Sequence, residues 1–108
     1  ITAPFCSLTH FAPYHFYSGF NRYFYETHLS EYGFRIIEIH ENGNYFEYLA
    51  QEIRRIPCVA ERYVQDNLTN DEKEVLNSAL KMLERFANKD KGSKELLCFG
   101  YHILAEKI

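Results

Sequence analysis

Ten residues near the end of the chain, Leu96-Leu-Cys-Phe-Gly-Tyr-His-Ile-Leu-Ala105, are apolar at nearly every position rather than at every second one. A strand with one face in water alternates, whereas a strand covered on both faces reads as an unbroken apolar run. Gly100 in the middle, with Phe99, Tyr101 and Ile103 around it, favours a strand over a helix. Lys94-Glu95 before the run and Glu106-Lys107 after it mark where the chain leaves the core. The run predicts a central strand of an α/β sheet with helices on both faces. Such a sheet needs several strands and this chain supplies few others, so it reads as part of a larger fold.

The other full strand signal is Phe34-Arg-Ile-Ile-Glu-Ile-His40, whose charges place it nearer an edge. Ile1-Thr-Ala-Pro4 reads as at most the last residues of a strand. The two long strands are expected to pair antiparallel. Between Pro4 and the second strand lie a loop over 5–17 and a helix from about Gly19 to Tyr32, with Ser18 as its cap and Gly33 as a left-handed C-cap. A helical insertion over about 44–90 separates the two long strands. Its first helix runs from about Asn44 to Asp66, with Pro57 expected to kink or break it. Its second helix opens on a capping box, Thr69-Asn-Asp-Glu72. Val75, Leu76, Ala79, Leu80, Leu83, Phe86 and Ala87 continue it as one apolar stripe.

At 108 residues the chain is at most a single domain, and 46% hydrophobic residues exclude a disordered one. A net charge of −3 argues against nucleic acid and anionic membrane surfaces as partners. No apolar run is long enough to span a bilayer. Cys6, Cys58 and Cys98 are far apart and odd in number, the usage of a reducing, cytoplasmic compartment. The opening residues lack the basic start of a signal peptide. Asn67-Leu-Thr69 matches a glycosylation sequon and is read instead as a helix-cap region.

Three segments in this order, ITAPF…THFAPYHFYSGF, EYGFRIIEIHENGNYFEYLAQEIRR and ELLCFGYHILAEKI, resemble the C-terminal portion of a class I S-adenosylmethionine-dependent methyltransferase. The resemblance covers essentially the whole chain and rests on the combination, since no one motif is specific. It implies that Ile1–Pro4 ends the fifth strand and that 34–40 is the sixth. The run at 96–105 is then the seventh, inserted antiparallel between them. It also implies that the cofactor, S-adenosylmethionine, is held by a glycine-rich loop and an acidic residue upstream. No GxGxG occurs here, so no residue of this chain is assigned to the cofactor. The chain alone is expected to be inactive and to self-associate through a sheet face or edge.

The loop 5–17 is the candidate site. It holds two histidines, two tyrosines and three phenylalanines in thirteen positions, and it follows the carboxyl end of a strand, where α/β sheets bind ligands. His10, Tyr14, His15 and Tyr17 are the candidate substrate-binding residues, able to orient a small-molecule methyl acceptor or take its proton. Packing between helix and sheet is the alternative for all four, and the preferred one for His15 and Tyr17. A metal site from His10, His15 and His28 would need a convergence that spacing does not supply. Cys6 lacks an activating base and Arg54-Arg55 reads as a solvated helix face. The competing functions are a stand-alone small-ligand or protein-interaction module built on the same loop, and a small histidine- or metal-dependent enzyme.

Overall fold

A computed structural model describes residues 1–6 and 19–108. Along the chain run β1 (Thr2–Pro4), α1 (Arg22–Glu31), β2 (Phe34–Asn42) and α2 (Tyr45–Val59), which continues into a wide π-turn over Ala60–Val64. Then come α3 (Asn70–Lys89), a 3-10 turn over Ser93–Glu95, and β3 (Gly100–Lys107). The strands form a three-stranded sheet in the order β1-β3-β2, with β3 antiparallel to both neighbours. The α/β class is as expected, and so are the central position of the C-terminal strand and its antiparallel pairing with β2.

β2 is an edge strand whose ladder is interrupted between Ile36 and Glu38. The extra residue, Ile37, is turned out of the pairing and is half exposed. Gly33, at φ +79°, makes the turn from α1 into β2 with its N–H on the Ser30 carbonyl (3.0 Å). That conformation strains any residue with a Cβ.

Four expectations are corrected. The strand begins at Gly100, not Leu96. Leu96 and Leu97 both donate to the Ser93 carbonyl (2.9 and 3.1 Å), and the Asp90 carboxylate accepts from the Ser93 N–H. This local turn outcompetes a ladder and leaves Leu96 67% exposed. β3 is not covered on both faces: Tyr101 and Ile103 are buried against α1, whereas His102 and Leu104 are exposed. The apolar run over-read the second face because Leu104 is hydrophobic without being packed. α1 is capped by Asn21, whose side chain accepts from the Phe24 N–H (3.2 Å), rather than beginning near Gly19 under Ser18. Pro57 does not break α2, which continues to Val59. The irregularity is the π-turn that follows, ending on Gln65 in a left-handed conformation (φ 59°).

The hairpin of α2 and α3 begins on the Asn44 cap, which accepts from the Glu47 N–H (3.0 Å). α3 opens on the predicted capping box: Glu72 N–H to Thr69 Oγ1 (3.2 Å), and Thr69 N–H to the Glu72 carboxylate (2.9 Å). Among the described residues the buried hydrophobics fall into two groups. Tyr25, Cys98, Tyr101 and Ile103 lie between α1 and the sheet, while Ala50 and Leu83 lie between α2 and α3. Two small cores side by side explain a radius of gyration of 17.4 Å, against about 13 Å for a compact chain of this length.

Candidate functional site

Because β3 opposes both of its neighbours, β1 and β2 run the same way and end on one edge of the sheet. In open α/β sheets this carboxyl edge is where ligands gather. Its backbone is closely tied. Phe5 N–H donates to the Phe99 carbonyl (3.2 Å), Phe99 N–H to Asn42 (2.8 Å), and Phe20 N–H to Pro4 (3.3 Å). Gly19 lies so close to β1 that a Cβ there would sit 2.5 Å from the Pro4 carbonyl oxygen. Cys6 and Gly19, which flank residues 7–18, are thus both held beside the end of β1.

His10, Tyr14, His15 and Tyr17 lie outside the described residues. Of the residues considered for a metal, His28 is on α1, bonded to Glu31 (3.0 Å) and tilted over Phe24 (4.5 Å between ring centroids). Among the described residues no three histidines, cysteines or carboxylates converge on one point. Cys6 is exposed, and its carbonyl accepts from the Tyr48 hydroxyl (3.0 Å). Tyr48 stacks on Phe99 (5.8 Å). Its phenol is pushed up to about 12, chiefly by burial, so it keeps its proton and serves as a donor.

Next to this pair sits a polar clamp. The Glu41 side chain, only 11% exposed, lies between Arg22 (3.0 Å) and Lys94 (3.6 Å), and Arg22 also reaches Glu26 (2.9 Å). The clamp joins the first turn of α1, the end of β2 and the turn before β3. Beneath it, Tyr101 and Cys98 are buried together in the core under α1, where the Cys98 thiol donates to the Gly100 carbonyl (3.5 Å). Burial raises the pKa of both Tyr101 and Cys98, keeping them neutral. The pair is a packed polar core and not a nucleophile.

From Phe99 a groove of about 420 Å³ runs between α2 and α3. Phe46, Ala50, Leu83 and Ala87 line it with Glu47, Gln51 and Arg54. Its size suits a small molecule. Of the two arginines read as a solvated helix face, Arg54 is exposed and lines this groove, and Arg55 is half-buried and paired with Glu52 (3.2 Å).

No family model, curated protein or solved structure matches the chain.

The sequence reading missed Arg22, Glu41, Lys94, Tyr48 and Phe99. Glu41 had a usable signal, since it immediately precedes the Asn42-Gly43 turn at a strand end. The others meet only through the register of β2 on β3, which places Asn42 opposite Gly100.

Proposed function

We propose that this chain forms the C-terminal part of a class I S-adenosylmethionine-dependent methyltransferase domain and supplies the acceptor side of its active site. The observation that carries the proposal is the strand order β1-β3-β2, with the middle strand reversed. That is the order and polarity in which the fifth, seventh and sixth strands of such a sheet lie, as the sequence resemblance implied. An unrelated hairpin-built sheet has no need for a first strand that returns beside the last.

The residues present do not fit the cofactor. The strand-to-helix turn whose residues are all described, Glu41–Asn44, passes through Gly43. The position where a Cβ of Gly43 would stand is filled by the Phe99 ring, at 2.4 Å. No ligand group can approach the backbone there as it does at a glycine-rich nucleotide turn. The cofactor is accordingly assigned to residues beyond this chain, and the chain's own contribution is to hold the acceptor. The groove ending at Phe99 offers a surface for it. With a net charge of −3, a small molecule is favoured over a nucleic acid as acceptor. A cytoplasmic location is part of the proposal, supported by three cysteines that are all free, the usage of a reducing compartment. No helix among the described residues is long and apolar enough to cross a membrane.

His10 and Tyr14 are proposed to orient the acceptor or take its proton, on the ground that Cys6 and Gly19, their described neighbours in sequence, lie beside the end of β1. In the enzyme expressed from its whole reading frame, His10→Ala and Tyr14→Phe should each lower turnover by about tenfold or more. Affinity for S-adenosylmethionine should stay unchanged. Turnover is read as S-adenosylhomocysteine formed in the presence of a small-metabolite extract. Unchanged turnover in both variants would return these residues to a packing role.

A further inference from the structure

Outside the candidate site, two surfaces stand out. On the open face of the sheet His40 lies directly opposite His102, but each is engaged locally. His40 bonds Glu38 (3.2 Å) and His102 bonds Thr2 (3.1 Å). Charged Arg35 and Glu106 complete this face as a solvated one.

The hairpin is different. Residues repeating every three and four positions share one helix face, and α3 carries two such rows. Leu76, Leu80, Leu83 and Ala87 are half-buried or buried, while in the adjacent row Val75, Met82 and Phe86 are 66%, 42% and 39% exposed. Ala79 completes that second row. On α2 and its π-turn, Ile56, Val59 and Tyr63 are likewise exposed at helical spacing. Ile56, Val64, Val75 and Leu76 converge on an open groove of about 410 Å³ at the hairpin tip. The hairpin thus has an apolar face that its own two helices leave uncovered.

We propose that two copies of this chain dimerise through this face, with their α3 helices antiparallel across a two-fold axis near residues 80 and 81. Three features of α3 fit a second copy. The first is size: in that register Val75 meets Phe86 of the second copy and Ala79 meets Met82, small against large at each layer. The second is shape, because the groove beside Val75 then receives the exposed part of Phe86 from the other chain, twice by symmetry. The third is charge. The first turn of α3 is acidic, with Asp71 and Glu72, and its last turns carry Arg85 and Lys89. Antiparallel pairing sets the acidic end of each helix against the basic end of the other. Asp71, Glu74 and Lys89 form no ion pair among the described residues, and Arg85, also without one, lies over the Phe86 ring (5.1 Å to its centroid). This interface is independent of the methyltransferase reading.

Sedimentation equilibrium on the 108-residue chain tests the proposal. The chain should dimerise below about 100 μM, weaker than a standard interface permits because the contact is small. Val75→Glu changes an exposed position, so circular dichroism should show unchanged helix content. It should nevertheless weaken the dimer by at least tenfold, since each copy then buries an unpaired carboxylate. Asp71→Lys and Lys89→Asp should each weaken it by about fivefold, and the double variant should recover the original affinity. A monomer at 100 μM would overturn the proposal, as the face would then need another occupant. A dimer indifferent to Val75→Glu would overturn it too. A charge-swapped double variant as weak as the single ones would overturn the antiparallel arrangement.

Discussion

Tyr101→Ala is expected to unfold the sheet half of the chain at room temperature. Tyr101 is 2% exposed and packs against Tyr25 and Phe5, each 5.9 Å away between ring centroids. It shares one buried cluster with Tyr25 of α1, Cys98 and Ile103. Truncating a buried aromatic costs about 3–5 kcal/mol through lost burial and the cavity left behind. Here that is a large share of the total, because among the described residues the core beneath α1 contains only Tyr25, Cys98, Tyr101 and Ile103 as buried residues. Urea unfolding followed by circular dichroism should show the sheet transition lost or shifted to very low denaturant. A shift below about 1 kcal/mol would mean that the α1–sheet core is not what holds the fold. The same burial gives a pH dependence. Up to the ordinary phenol value of about 10, folded and unfolded chains both keep the Tyr101 proton and stability does not change. Above it the unfolded chain ionises first, so stability falls as pH rises.

Gly100→Ala should detach β1 from the sheet. A Cβ at residue 100 would stand 2.3 Å from the Ala3 carbonyl oxygen and 3.1 Å from Pro4 Cα. Those are backbone atoms that cannot swing aside, so the strands must separate. Pro4 is the register partner of Gly100, and the Ile1 carbonyl accepts from the Ile103 N–H (2.7 Å). Losing this ladder also frees Phe5 from Tyr101. The expected cost is about 3 kcal/mol, the upper end of what overpacking usually exacts. Amide exchange at Tyr101 and Ile103 should quicken while β2 stays paired with β3. If protection of β3 is unaltered, β1 does not lie where the strand order places it, and the main support for the proposed function goes with it.

Local chemistry was the legible part of this fold. Thr69 and Glu72 announce their capping box because both partners are three residues apart, and Gly33 announces a turn for the same reason. β-branched Ile36 and Ile39 point to a strand in a window of a few residues. The end positions of β3 were not legible. Leu96 and Leu97 are as apolar as Ile103, but Asp90 and Ser93 bend the chain before them through hydrogen bonds that composition does not reveal. The exposed Leu104 shows the converse, an apolar residue without a packing partner. The second row on α3 was read together with the first because both are apolar and adjacent around the helix. Only the burial of Leu83 against the exposure of Val75 separates them. The clamp on Glu41 was invisible for a different reason. Arg22, Glu41 and Lys94 come from three separate elements and converge only once the sheet register is set.

Equilibrium dialysis with methyl-labelled S-adenosylmethionine tests the proposed function most directly. It should be run on the protein expressed from the whole reading frame and, in parallel, on the 108-residue chain. The proposal predicts micromolar binding by the former, displaced by S-adenosylhomocysteine, and no saturable binding by the latter, whose glycine turn at Gly43 is closed by Phe99. Absence of binding by the whole protein, or micromolar binding by the 108-residue chain alone, would contradict it.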